Sequence, residues 1–158
     1  SGRFDEMKDR RPDIFFPDVD WEPEWLTPKY EDSFALVNTL RHCAVGINVA
    51  STVSLELCMF DKPVINVGYN PPGIKGSELS YADYYEFDHY KPVVDSGAVR
   101  VAWSEAEIRN LIKECLRDPC AGSIGRRNLI DKMFGSTLDG RSGNRVADVL
   151  TRLAKFHN

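Results

Sequence analysis

Residues 44–68 constrain the fold of this chain more than any other segment. Short apolar runs at 44–49 and 63–68 flank a longer, largely apolar stretch at 51–60, which opens with small, hydroxyl-bearing residues. The two runs have the length of buried strands, and the stretch between them has the length of a buried helix. Strand, turn, helix and strand in this order predict two parallel strands joined by a crossover helix.

The other segments extend this pattern to an α/β fold, a Rossmann-like parallel sheet of about four strands with helices on both faces. A short strand is expected at residues 13–17, bounded by Pro12 and Pro17, and a further strand at residues 97–103, where apolar side chains alternate. We interpret residues 17–30, with three prolines and two tryptophans, as a long ordered loop. Helical spacing and capping signals predict four more helices, at residues 30–42, 104–117, 123–134 and 141–156.

Three of these helices carry specific signals. Asp32 is the expected N-cap of the helix near residues 30–42. Ser104 and Glu107 have the spacing of a capping box, in which both side chains satisfy backbone N–H groups at a helix start. The last helix has one apolar face, formed by Val146, Val149, Leu150 and Leu153.

Length and composition are typical of one globular domain with its own core, since the chain has 158 residues, 42% of them hydrophobic and 28% charged. We expect a flexible extension at residues 1–12, which opens with Ser1-Gly2 as an expression tag would leave, and a single domain at residues 13–158 excised from a longer protein. The net charge of −4 gives no electrostatic reason to expect duplex nucleic acid or an anionic membrane as a partner.

The cysteines favour neither a metal site nor disulfides. None of the four belongs to a C-x-x-C pair, and the chain has only three histidines, so we predict no metal. Cys58 and Cys115 fall on apolar helix faces and are expected to be buried thiols. Because the sequence also lacks a signal peptide and any run of about 20 apolar residues, the predicted location is the cytoplasm.

Ser51, Thr52 and Glu56 are the main candidate binding residues. Hydroxyl-bearing residues at a helix start place backbone N–H groups where a phosphate can bind. Thr52 and Glu56 are four apart and share a helix face, and Glu56 is not the partner of a capping box whether Ser51 or Thr52 is the N-cap. A carboxylate on an otherwise apolar helix favours a cleft, where it suits the hydroxyls of a ribose. The alternative is an ordinary serine cap and a solvated or salt-bridged glutamate.

His89 is a further candidate, because an imidazole can contact a diphosphate or transfer a proton near neutral pH. An exposed loop histidine is the alternative. Arg141 and Arg145 could pair with a phosphate, although surface ion pairs are favoured. Several aromatic residues flank the proposed cleft, and covering the sheet edge is favoured over stacking on a nucleobase. They are Trp21, Trp25, Tyr30, Tyr81, Tyr84, Tyr85 and Tyr90. The glycine-rich and catalytic motifs of common NAD-binding, P-loop and hydrolase proteins are absent from the sequence.

Residues 45–56, followed six residues later by residues 63–67, resemble the C-terminal half of bacterial glycosyltransferases of the GT-B type. Residues 89–92 and 138–147 are similar to the same group. The resemblance implies half of a GT-B fold, in which an N-terminal domain binds the acceptor and this domain binds the nucleotide-sugar. It also implies contacts from Ser51 and Thr52 to the diphosphate and from Glu56 to the ribose, with His89 in the same site.

The resulting hypothesis is the donor-binding domain of a glycosyltransferase that moves a sugar from a UDP-, GDP- or CMP-type donor to a glycan or lipid-linked acceptor. The nucleotide-sugar is a substrate, so no cofactor is predicted, and the isolated domain is expected to be inactive. The catalytic residues stay unassigned apart from His89. The expected partners are the acceptor domain and, for the whole protein, a peripheral membrane contact, without nucleic acid.

Two alternatives remain open at this point. The first is half of a non-hydrolysing nucleotide-sugar epimerase, an isomerase that needs acid and base groups near the sugar ring. Asp83, Glu86 and Asp88 are the candidate sources of these groups. The second is a non-catalytic α/β module that binds a partner protein.

Overall fold

Residues 5–17, 21–72 and 80–155 are described by the computed structural model of the chain. The strands are Trp21–Glu22 (β1), Thr27–Pro28 (β2), Gly46–Asn48 (β3), Val64–Val67 (β4) and Arg100–Ala102 (β5). The α-helices are Asp5–Arg10 (α1), Tyr30–His42 (α2), Val53–Met59 (α3), Lys91–Asp95 (α4), Glu105–Arg117 (α5), Ser123–Phe134 (α6) and Ser142–Lys155 (α7). Short 3₁₀ helices lie at Tyr81–Glu86 and Gly135–Thr137.

The backbone packs as two units, Ser1–Thr39 and Leu40–Asn158. In the smaller unit, β1 and β2 form an antiparallel hairpin, with Trp21 opposite Pro28. Residues 17–30 were predicted to be a long ordered loop, and this hairpin is secondary structure that the prediction did not include. Residues 18–20 lie outside the described part. The domain boundaries given by the sequence, after residue 12 and at residue 158, stay a prediction.

The strand expected at residues 13–17 is wrong, because none of these residues is in a strand. Both Nε and a terminal nitrogen of Arg11 donate to the Asp13 carboxylate, at 2.9 and 2.7 Å, which holds the segment in a local turn. Phe15 is 83% exposed and Pro17 has no N–H to donate, so the segment has neither a buried side nor a full set of donors for a ladder. Residues 1–12, expected to be flexible, include helix α1.

The larger unit is built on a parallel sheet in the order β3-β4-β5. Gly46 is in register with Val64, and Ile65 is in register with Arg100. The predicted parallel α/β arrangement is therefore confirmed, with three parallel strands in the described residues. These three strands do not establish the predicted Rossmann-like fold, nor the fourth strand that was expected in it.

Side chains of β4 alternate between two cores, as the period of a strand requires. Val64 packs with Leu57 of α3, Val93 of α4 and Leu129 of α6 on one face. Ile65 packs with Leu111 and Cys115 of α5 on the other. Helices therefore cover both faces of the sheet, as predicted, and the central strand is almost completely buried. The predicted burial of the Cys58 and Cys115 thiols is confirmed.

The predicted helices form with bounds close to those expected, and two capping details differ. Helix α2 begins at Tyr30, so Asp32 lies in its first turn and is not the N-cap. Ser104 caps α5, since its Oγ accepts from the Glu107 N–H at 3.2 Å. The Glu107 carboxylate, however, accepts from the Trp103 N–H at 2.8 Å, one residue further back than in a standard capping box.

Candidate functional site

The turn between β3 and α3 lies at the carboxyl end of the parallel sheet, where ligands collect in open α/β folds. Ala50 in this turn has φ 38°, in the left-handed region that a residue with a Cβ rarely adopts. Such strain persists only where the surrounding structure imposes it, and it clusters at functional sites. A glycine would adopt this φ without strain, but the sequence has an alanine at this position. The Ala50 turn is therefore a candidate functional site.

Two backbone N–H groups of the turn already have partners. The Ser51 N–H donates to Asn48 Oδ1 at 3.4 Å, and the Val53 N–H donates to Ser51 Oγ at 3.3 Å. Thr52 is the N-cap of α3, but its side chain accepts no capping hydrogen bond. The turn thus offers fewer N–H groups to a phosphate than the sequence suggests, because its own side chains use them.

A buried polar network fixes this turn to the sheet. Ser54 Oγ lies 3.1 Å from Asn48 Oδ1, 3.2 Å from Asn66 Oδ1 and 2.8 Å from the Tyr90 hydroxyl. Asn66 Nδ2 donates to the Tyr90 hydroxyl at 2.8 Å. Tyr90 can then donate to Ser54, and the single Ser54 hydrogen is left for one of the two asparagines. Ser54 and Asn66 are fully buried, so these hydrogen bonds form away from water.

Asn48 carries an unsatisfied donor in this network. Its Nδ2 is buried and has no hydrogen-bond partner among the described residues. A rotated amide would let Nδ2 donate to Ser54 Oγ, at the cost of the long 3.4 Å hydrogen bond from the Ser51 N–H, so the unsatisfied donor belongs to one of two amide orientations. A buried donor without an acceptor costs about 1–3 kcal/mol, and in folded proteins it calls for a strained or ligand-binding explanation.

Glu56 lies one turn after Thr52, since its N–H donates to the Thr52 carbonyl at 3.3 Å. The Glu56 side chain is half-buried, and it forms no hydrogen bond or ion pair within the described residues. Among the described residues Glu56 therefore has no salt-bridge partner, and the alternative of a solvated glutamate stays open. Ser51, Thr52 and Glu56 stand together at the start of α3, with Thr52 exposed and Ser51 half-buried.

His89 is less closely tied to this group. Its side chain is exposed, and its ring centroid lies 5.7 Å from that of Phe87. The neighbouring Tyr90 reaches Ser54 of α3, so the His89 segment is held near the turn through the chain. No contact of His89 with Ser51, Thr52 or Glu56 is present.

Aromatic side chains cover part of the sheet edge. Tyr85 and Tyr90 are buried, and their centroids are 5.9 Å apart. Burial raises the pKa of Tyr85 to about 12, and its hydroxyl donates to the Val67 carbonyl at 2.7 Å. Trp103, at the end of β5, packs edge-on against Tyr85 and is 52% exposed. Its ring lies against Gly68, where a Cβ would come within 2.6 Å of the indole. Sequence reasoning did not identify Trp103 as part of this edge.

The carboxylates considered for an epimerase are largely committed elsewhere. Asp83 accepts from the Ser80 N–H at 2.7 Å in a capping box, and Glu86 pairs with Lys91 at 3.4 Å. Arg145 forms the surface ion pair that was favoured for it, with Asp139 at 2.6 Å.

The opposite edge of the sheet contains a cavity of about 280 Å³ near the starts of β4 and β5, with the buried Arg126 in its wall. Each nitrogen of Arg126 donates a hydrogen bond: to Asp61 at 2.7 Å, to the Ala121 carbonyl at 2.8 Å and to the Pro119 carbonyl at 2.9 Å. Burial opposes ionisation of Asp61, but hydrogen bonds from Ser123 and Arg126 outweigh it and lower the Asp61 pKa. Arg126 therefore holds the loop before α6 against Asp61, which lies in the loop between α3 and β4.

Across the described ranges, no three His, Cys, Asp or Glu side chains are grouped so that they could hold a metal ion. No helix in that part of the chain is both long and apolar enough to span a bilayer.

The described part of the chain is an α/β domain with a parallel three-stranded sheet, and a polar turn lies at the carboxyl edge of this sheet. Comparison of the chain with protein-family models, with curated proteins and with solved structures gave no match.

Proposed function

We propose that this chain binds the nucleoside-diphosphate part of a nucleotide-sugar at the β3–α3 turn, as the donor domain of a glycosyltransferase. One observation carries the proposal: a strained Ala50, a buried Asn48 donor and a Glu56 carboxylate occur at or beside one turn at the carboxyl edge of the sheet, and neither polar group has a partner among the described residues. Backbone strain and a buried unsatisfied donor both cost folding free energy. The Glu56 carboxylate follows Thr52 by one helical turn.

The roles follow from chemistry. Hydroxyl groups of Ser51 and Thr52 can donate to diphosphate oxygens, and the Glu56 carboxylate can accept from two ribose hydroxyls. The exposed Trp103 ring provides a surface for a base. The resemblance of residues 45–67 to GT-B glycosyltransferases supports the same assignment.

The proposal also covers the acceptor domain, the acceptor and the cellular location. A separate acceptor domain would complete the active site, and the acceptor would be a glycan or a lipid-linked sugar. The four free cysteines favour a reducing compartment, the cytoplasm. Local contacts of Asp83 and Glu86 argue against them as the acid and base of an epimerase, whereas the exposed Asp88 forms no such contact among the described residues.

The test is a thermal-shift screen of the chain with UDP-, GDP- and CMP-sugars. A ligand at 100 times its dissociation constant adds about 2.7 kcal/mol of stability, which raises Tm by several degrees. Glu56→Gln should weaken binding by about 1–3 kcal/mol, as expected for a charged hydrogen bond. Asp131→Asn, which removes the same charge from an exposed position on α6, is the matched control. The proposal fails if no donor shifts Tm, or if Glu56→Gln binds as tightly as the control.

A further inference from the structure

Trp103 lies close to the β3–α3 turn, although it follows a different strand. The Tyr85 ring connects the two: its hydroxyl donates to the Val67 carbonyl at 2.7 Å, and its centroid lies 5.9 Å from that of Trp103. Burial raises the pKa of Tyr85 to about 12, and hydrogen bonding from the Ala50 backbone acts in the opposite direction. One aromatic ring therefore separates Trp103 from the turn, which is a separation that the ribose and diphosphate of a nucleotide can span.

The Trp103 indole is fixed in place and still half open to solvent. Tyr85 packs against it at an interplanar angle of 80°, and Gly68 lies so close that a Cβ there would come within 2.6 Å of the ring. An aromatic ring that is already ordered suits stacking on a nucleobase, because little side-chain freedom is lost on binding. Stacking alone does not distinguish the bases, since every base has a π face.

A carboxylate with spare acceptor capacity lies beside this ring. Glu107 Oε2 accepts from the Trp103 N–H at 2.8 Å, whereas a standard capping box would direct it to the N–H of the N-cap, Ser104. Glu107 Oε1 has no hydrogen-bond or ion-pair partner among the described residues, and the side chain is half-buried. The carboxylate is therefore held next to Trp103, where it can accept further hydrogen bonds.

We propose, on the basis of the nucleotide-sugar function above, that Trp103 and Glu107 select guanine, so that the donor is a GDP-sugar. The Watson–Crick edge of guanine presents two adjacent donors, N1–H and N2–H, which one carboxylate accepts together. Uracil presents a single N–H between two carbonyl oxygens, which a carboxylate repels. Cytosine and adenine each place a ring-nitrogen acceptor beside their amino group. Guanine is the base whose edge matches Glu107 with both hydrogen bonds.

Calorimetric titration of the chain with GDP, UDP, CDP and ADP tests this selection, because these ligands differ only in the base. GDP should bind about tenfold more tightly than any of the others, as expected for about one additional charged hydrogen bond. Trp103→Leu should weaken all four about tenfold, since stacking tolerates every base. GDP should also quench tryptophan fluorescence in the unmodified chain, and Trp103→Leu should remove this quenching.

Glu107→Gln keeps an oxygen that can accept from the Trp103 N–H, so Tm without ligand should not change. Its amide NH₂ opposes one of the two guanine donors but can donate to a uracil carbonyl. GDP should therefore bind about tenfold more weakly, and UDP no more weakly, than to the unmodified chain. Glu105→Gln is the matched control, because Glu105 is an exposed carboxylate in the same helical turn that pairs with Arg109. It should leave all four affinities unchanged.

The outcomes separate this inference from the function on which it rests. If UDP, CDP or ADP binds as tightly as GDP, the selection of guanine is wrong, while nucleotide binding stands. A preference for GDP that survives in Glu107→Gln would also overturn the inference. If none of the four ligands binds and no nucleotide-sugar shifts Tm, the proposed function fails and the inference fails with it.

Discussion

Tyr90→Phe tests the buried network that fixes the candidate site. The substitution keeps the ring, which packs in the core beside Tyr85, and removes only the hydroxyl. That hydroxyl lies 2.8 Å from both Ser54 Oγ and Asn66 Nδ2, so two hydrogen bonds are lost and the Asn66 donor stays buried without its acceptor. At about 1 kcal/mol for each bond, we expect a loss of about 2 kcal/mol in unfolding free energy.

Urea denaturation and thermal unfolding measure this loss. For a chain of this size, about 2 kcal/mol corresponds to a fall in Tm of about 4–8 °C. Tyr30→Phe is the control, because Tyr30 is 78% exposed and should change stability by less than about 0.5 kcal/mol. Ser54→Ala completes a double-mutant cycle, in which contacting partners should show a coupling of at least about 0.5 kcal/mol. If Tyr90→Phe matches the Tyr30 control, or if the two changes add without coupling, the network does not hold the turn.

Two further substitutions probe the edges of the sheet. Arg126→Met should cost about 3 kcal/mol at neutral pH, since it removes the donor of two carbonyls and leaves Asp61 with only its hydrogen bond from Ser123. The pKa of Asp61 is lowered from its ordinary 3.8, so its carboxylate stabilises the fold above about pH 4, and that contribution is lost as pH falls through the lower folded value. The difference in unfolding free energy between Arg126→Met and the unmodified chain should therefore become smaller in acid. If urea titrations give the same difference at acid and neutral pH, the ion pair does not contribute as expected. Gly68→Ala should cost about 1–3 kcal/mol and alter Trp103 fluorescence, because the new Cβ would come within 2.6 Å of the indole. Gly143→Ala, with no atom within 4 Å of the new Cβ and a position inside helix α7, should leave fluorescence unchanged and should not lower stability, since Ala favours a helix over Gly by up to about 1 kcal/mol.

Local patterns in the sequence were sufficient for the parallel strands and the longer helices. The continuous apolar run of β4 reflects burial on both faces of the sheet, and the helical spacing in α5 reflects burial of one side, and a short window can detect both patterns. Helix α4 was missed because it has five residues and contains Pro92 in its first turn. The strand expected at residues 13–17 failed because apolar content was taken as burial, whereas Phe15 is exposed.

The candidate site was predicted only in part, because its network joins residues far apart in the sequence. Ser54 and Tyr90 are 36 positions apart, and neither is unusual by itself. One signal was present: Asn48 and Asn66 are polar residues in otherwise apolar strand runs, and they prove to be register partners in β3 and β4. Two asparagines at matching places in adjacent parallel strands predict a polar contact at that level of the sheet.

Some polar side chains of this protein already have hydrogen-bond partners within the chain, and others do not. The first kind has a structural role, and the second kind could still bind a ligand. Each of the three nitrogens of Arg126 at the amino edge donates to a protein acceptor, so this side chain has a clear role in folding. At the carboxyl edge, Asn48 Nδ2 and the Glu56 carboxylate lack partners within the described residues. Buried polar groups in folded proteins normally have hydrogen-bond partners. The unpartnered groups at the carboxyl edge therefore cost folding free energy, whereas the partnered Arg126 does not. The carboxyl edge, more than the better-formed cavity around Arg126, is therefore where ligand binding should be sought.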